Sequence, residues 1–157
     1  MVTNQRVTLL VVEDNPADVA LLRYALIRSP LRIDVHVVED GVQAMAFLQH
    51  QEPYTTAPHP HLLLLDLNLP KKNGHAVLAE IKTRPQLKQL PVIIFSSSAN
   101  PDDIDHSYAL GANAYLTKPL MLEGYFALVD QFVQFWCHHA ELPSNLQPED
   151  RSRTDSW

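Results

Sequence analysis

The sequence predicts a doubly wound α/β fold, five strands and five helices in strict alternation, (βα)5, around one parallel sheet. Three observations predict it. Short runs of Val, Leu and Ile alternate with stretches whose apolar residues recur at helical spacing. Two of those runs are followed by a cap residue and a proline, Asn15-Pro16 and Asn100-Pro101, the signature of a helix start. Strands separated by helices can pair side by side only through right-handed crossovers, which makes the sheet parallel.

Val7 to Val12 is the first predicted strand, and Asn15, Pro16 and Asp18 open the first helix with a cap, a proline and an acid in its first turn. Val19, Leu22 and Leu26 form its inward stripe. Ile33 to Val38 is the second strand, and Asp40 to Gln51, with Val42, Met45, Ala46 and Leu48, the second helix. Glu52 to Pro60 reads EPYTTAPHP, and its prolines and lack of period predict a surface loop. Leu62 to Asp66, LLLLD, reads as a strand buried on both faces that ends in a carboxylate. Gly74 to Thr83 carries Val77, Leu78 and Ile81 and is the third helix, before a turn at Pro85 and a strand from Val92 to Phe95. Pro101 to Leu110 is the fourth helix, which Gly111 terminates. Ala114 to Thr117 is a short fifth strand, and Leu122 to Trp136 the last helix.

A chain of 157 residues with 46% hydrophobic content can bury the core of one domain. Lys and Arg total 12 against 18 Asp and Glu, a net charge of -6, which disfavours a nonspecific grip on nucleic-acid phosphates. Cys137 is the single cysteine, so no internal disulfide forms, and no apolar run reaches the roughly 18 residues of a membrane span. A cytoplasmic protein that binds neither membrane nor nucleic acid is expected.

In a doubly wound fold ligands bind beyond the carboxyl ends of the strands, where strand order reverses. The residues standing there are Glu13 and Asp14, Asp66, Ser96 with Ser97 and Ser98, and Thr117, Lys118 and Pro119. Three carboxylates in one place repel one another unless a cation sits between them. Hard oxygen ligands without histidine or cysteine favour Mg²⁺, which keeps open positions for water and a phosphoryl oxygen. An oxygen of Asp66 could then attack phosphorus in line, with Lys118 offsetting the remaining charge and the Ser96 hydroxyl bonding a phosphoryl oxygen. Taken singly, Glu13 and Asp14 also read as helix-start acids, Asp66 as a cap of the turn at Asn68, and Tyr115 as plain core. His59 and His61 flank Pro60 like a metal pair, but without a third ligand they read as solvated loop residues.

The set formed by Glu13-Asp14, Asp66, Ser96 after PVIIF, and Tyr115 with Lys118-Pro119 resembles the receiver domain of two-component response regulators over residues 7–136. The resemblance implies a flavodoxin-like strand order 2-1-3-4-5 and a phosphoryl group accepted by Asp66 from a histidine kinase. It implies Mg²⁺ held by Glu13, Asp14, Asp66 and the backbone carbonyl of Asn68. It also implies a cis Lys118-Pro119 bond, a switch in which Ser96 and Tyr115 move together, and tuning of the acyl-phosphate lifetime by Asn68 and Ser98. LLLLDLNLPKKNGHAVLAEIK, PVIIFSSS and the Pro-rich loop are similar to single-domain regulators paired with cyanobacterial and bacterial phytochromes, which implies a light-sensing kinase as partner. Glu13 departs from the aspartate of many receivers, and its longer side chain is expected to reach the metal through water.

Two apolar stripes, Phe126, Val129, Val133 and Trp136 on one side and Tyr125, Leu128, Phe132 and Phe135 on the other, predict a last helix too apolar for one sheet to cover. A homodimer through Tyr125, Leu128, Phe132 and Phe135 is expected. Residues 1–6 read as an N-terminal segment and 137–157 as a polar tail with no output domain. Two other classes stay open: a pseudo-receiver scaffold that is never phosphorylated, and an aspartyl-phosphate phosphohydrolase, although the latter needs an acid where Asn68 stands.

Overall fold

The computed structural model describes residues 6–144; the N-terminal segment up to residue 5 and most of the expected tail lie outside the described residues. Five parallel strands run in the order β2-β1-β3-β4-β5. They are β1 (Val7–Val12), β2 (Ile33–Val38), β3 (Leu62–Leu65), β4 (Val92–Ser96) and β5 (Ala114–Thr117). Between and after them lie α1 (Pro16–Ile27), α2 (Gly41–Leu48), α3 (Gly74–Thr83), α4 (Pro101–Ala109) and α5 (Leu122–Phe132).

The three central strands are covered on both faces, which is why they read as unbroken Val/Leu/Ile runs rather than as alternating ones. Side chains alternate between the faces. Leu10, Val12, Leu63, Leu65 and Ile94 pack with Met45 and Phe47 of α2 and Val77, Leu78 and Ile81 of α3. Leu9, Val11, Leu62, Leu64, Ile93 and Phe95 meet Leu22 and Leu26 of α1 and Tyr125, Val129 and Phe132 of α5 on the other side. The expected caps form: the Asn15 side chain accepts from the Ala17 amide at 2.9 Å, and Asn100 accepts from the Asp102 amide at 2.9 Å. Gly111 takes a φ of +104° directly after α4, as a helix-terminating glycine should.

Several expectations need correction. Helix α2 is shorter than 40–51, because His50 turns to a φ of +54°, and its Val42 faces solvent. Helix α5 ends at Phe132 and passes into a π-helical segment, Val133–His139, where an unbroken α-helix to Trp136 was expected. Tyr125 and Phe132 do not form a dimer surface: both are buried against the sheet. The inward line is Tyr125, Val129, Phe132 and Val133, spaced i, i+4, i+7, i+8, a single stripe cutting across the two the sequence suggested. Phe135 alone of that expected surface is well exposed, while Leu128 is half-buried beside the core. The cis peptide among the described residues is Glu52-Pro53, and Lys118-Pro119 keeps the trans form that X-Pro bonds prefer by default.

Candidate functional site

The register of the sheet assembles the site. Val12 pairs with Val38 on one side and Leu65 on the other, so Glu13 and Asp66 leave adjacent strands at the same level. The Glu13 amide donates to the Val38 carbonyl at 3.0 Å and the Asp66 amide to the Val12 carbonyl at 3.1 Å, extending the ladder one residue past each strand. Ser96 pairs with Thr117 at the end of β4, and the Lys118 amide donates to the Ser96 carbonyl at 2.7 Å. Residues far apart in the chain are thereby fixed by backbone geometry before any side chain interacts.

Glu13 and Asp66 are buried and Asp14 is exposed, and one ligand oxygen from each lies within 4.8 Å of the others. The Lys118 ammonium reaches into this cluster, donating to Glu13 Oε2 at 2.8 Å and Asp66 Oδ2 at 3.1 Å. Its third partner is Asp18 Oδ2 of α1 at 3.3 Å, and the Phe95 ring centroid lies 5.5 Å from Nζ. Turn amides complete the arrangement: Asn15 N–H donates to Glu13 Oε1 at 3.1 Å and Asn68 N–H to Asp66 Oδ1 at 3.2 Å.

One ammonium cannot neutralise this much buried negative charge. Burial, and then the neighbouring Asp66 carboxylate, push the Glu13 carboxyl up to about 7 despite the Lys118 contact. Burial disfavours the Lys118 ammonium, but its hydrogen bond to Glu13 and the charges of Asp66 and Glu13 outweigh that and hold its proton more tightly than usual. The residues fit a hard divalent cation: the donors are all carboxylate oxygens, two of them buried, and their charge is undercompensated.

Ser96 is fully buried, and its Oγ accepts from the Ser98 amide at 3.2 Å. Ser98 is a junction. Its carbonyl accepts from the Tyr115 hydroxyl at 2.8 Å and its own hydroxyl donates to Asp103 Oδ2 of α4 at 2.5 Å. Tyr115 is half-buried against the core, so its ring already lies against the sheet with its hydroxyl on the β4–α4 loop. Further along α4, the Ser107 hydroxyl donates to the Asp103 carbonyl at 2.7 Å, which leaves His75 Nε2–H of α3 as the donor to Ser107 Oγ at 3.0 Å. Burial, followed by the nearby His106, lowers the pKa of His75.

Glu13, Asp14, Asp66 and Lys118 are thus brought together as the sequence suggested, with Asn68 touching Asp66 through its amide. Asp18 was missed as a site residue, because its place in the first turn of α1 already explained it as a helix-start acid. No local signal marks it, because the partner that draws it into the site, Lys118, lies 100 residues further along the chain. His59 and His61 are not solvated as expected. His59 meets the His50 imidazole with Nε2 atoms 3.1 Å apart, and His61 Nδ1 accepts from the Thr8 amide at 3.0 Å.

Residues 9–130 match the family described as response regulator receiver domain. The chain is 44% identical over 142 residues to response regulator Rcp1 of a Synechocystis species, covering 90% of this chain and 97% of that protein. The crystal structure of the phosphorylated cyanobacterial phytochrome response regulator RcpA is similar to it with a TM-score of 0.86 at 47% identity, covering 89% of this chain and 100% of RcpA. The Mn²⁺-bound form of Rcp1 has a TM-score of 0.84 at 45% identity, covering 87% of this chain and 99% of that one. With the strand order, the acidic edge and the half-buried lysine, these likenesses mean that the chain belongs to the response regulator receiver domain family, among relatives of the cyanobacterial phytochrome regulators.

Proposed function

We propose that this protein is a cytoplasmic phosphoacceptor in a two-component relay, taking a phosphoryl group on Asp66 from the phosphohistidine of a phytochrome-type histidine kinase. The observation that carries the reading is Asp66 itself: a buried carboxylate at a strand end, 3.1 Å from the Lys118 ammonium and within ligand distance of two further acids. In the transfer an Asp66 oxygen forms the new O–P bond, the donor's N–P bond breaks, and the departing imidazole takes up a proton. Glu13, Asp14 and Asp66, with the Asn68 carbonyl, would hold Mg²⁺, whose chemistry is to offset charge on the phosphoryl oxygens. Likeness to Rcp1, solved with Mn²⁺, and to RcpA, solved phosphorylated, supports both the metal and the acceptor role.

Lys118 binds a phosphoryl oxygen in this reading, and the Ser96 hydroxyl turns from the Ser98 amide to another. That exchange would loosen the Ser98 loop on which the Tyr115 hydroxyl rests, and so carry the change to α4, β5 and α5. Asn68 and Ser98, beside Asp66 and Ser96, set how readily water reaches the acyl phosphate. Self-association uses exposed Phe135 together with half-buried Leu128, and light scattering with and without a phosphate mimic tests it.

The deciding experiment is incubation with Mg²⁺ and acetyl phosphate followed by intact mass. A gain of one phosphoryl group, abolished by Asp66→Asn, is expected. No gain in the wild type would favour a pseudo-receiver, and steady turnover of phosphate esters a phosphohydrolase.

A further inference from the structure

The Lys118 ammonium has three N–H donors and three carboxylate acceptors, and the acceptors are not equivalent. Glu13 and Asp66 contribute to the acidic cluster suited to a cation, with side chains 7% and 9% exposed. Asp18 stands outside that cluster, on α1, with a side chain 40% exposed. Its place relative to Glu13 is fixed. Asn15 caps α1 through the Ala17 amide at 2.9 Å while its own amide donates to Glu13 Oε1 at 3.1 Å. When a cation claims Glu13 and Asp66, Asp18 is the acceptor that still belongs to Lys118 alone.

We infer that Asp18 is a positioning residue, which acts through Lys118 to keep that ammonium over Asp66 while the other two carboxylates serve the metal. The inference rests on Asp66 being the phosphoacceptor. A helix-start acid that merely favoured the α1 dipole would stabilise α1 equally well with or without Lys118. An acid that acts through Lys118 has nothing left to do once the ammonium is gone.

The test is a double-mutant cycle on the rate of phosphoryl gain from acetyl phosphate with Mg²⁺, comparing wild type, Asp18→Ala, Lys118→Met and the double variant. Asp18→Ala is expected to slow the wild-type background by about threefold, since a half-exposed charge pair is a modest one, and to change nothing in the Lys118→Met background. Equal slowing in both backgrounds, or none in either, overturns the proposal. A second measurement needs no phosphorylation: the side-chain ¹⁵N resonance of Lys118 in the metal-free protein, assigned by its loss in Lys118→Met. Shift or broadening in Asp18→Ala, with no change in the exposed control Asp105→Asn, is expected. An unmoved resonance overturns the inference. Failure of the wild type to gain a phosphoryl group would instead bring down the acceptor reading, leaving the resonance to decide whether Asp18 holds the lysine.

Discussion

The body of the sheet and its carboxyl-terminal edge obey opposite rules. Along β3 the side chains of Leu62 to Leu65 are all but fully buried in the apolar core, and one residue later the Asp66 carboxylate, nearly as buried, is held by the Asn68 amide and the Lys118 ammonium. In the body a side chain is specified by volume, so several aliphatic residues would serve at a modest penalty. At the edge each group is specified by charge and by a named partner. Burial is therefore a poor guide to what a position tolerates.

The sharpest way to break this contrast is Lys118→Met, a swap of similar length with no charge. It leaves Glu13 and Asp66 buried without their cation and should destabilise the metal-free protein by about 3–5 kcal/mol at pH 8 in urea denaturation. Millimolar Mg²⁺ should return part of that loss, because a ligand of the folded state alone stabilises it. A loss below about 1 kcal/mol would mean the edge is no stricter than the body. Leu64→Ala is the counterpart in the body and should lower stability by about 2–5 kcal/mol while leaving the yield of phosphorylated protein intact by mass.

Gly74→Ala probes the seam between the two regions. A Cβ on Gly74 would lie 2.3 Å from the Asp66 carbonyl oxygen and 2.6 Å from Leu67 Cα, so α3 must back away from the loop that carries Asp66. A stability loss of about 1–3 kcal/mol is expected, together with a slower gain of phosphoryl mass, which Leu64→Ala should not produce. The smallest effect concerns His75, whose folded pKa lies below its ordinary value. Near pH 6.5 the unfolded chain then binds more protons than the folded one, so this group's contribution is present above pH 6.5 and shrinks as pH falls below it. His75→Asn should flatten that slope in a series of denaturation curves from pH 5.5 to 8, without moving stability much at pH 8.

Much of this was legible in the sequence because strand ends are. Leu62 to Leu65 followed by Asp66, and PVIIF followed by Ser96, place a polar residue where a parallel strand stops, and a doubly wound sheet gathers such stops at one edge. The faces of α5 were harder. Nearly every residue from Tyr125 to Phe135 that is apolar fits one stripe or another, so periodicity alone could not tell Phe132, which is buried, from Phe135, which is exposed. The link from Asp18 to Lys118 was invisible for a different reason: Asp18 had a sufficient local explanation as a helix-start acid, and only the fold brings it to 3.3 Å from the lysine. Ser98 was named only through the resemblance; that its hydroxyl would meet Asp103, its amide Ser96 Oγ and its carbonyl the Tyr115 hydroxyl is set by the fold.

The lysine that closes the edge comes late. It lies 105 residues after Glu13, 100 after Asp18 and 52 after Asp66, on the connection that leaves the last strand. A ribosome therefore delivers every acid of the cluster before the ammonium that reconciles them exists. Until β5 joins β4, Lys118 cannot reach Glu13, Asp18 or Asp66. Assembly is thereby ordered: the acids are all in place before the ion pairs that tie them to the end of β5 can close.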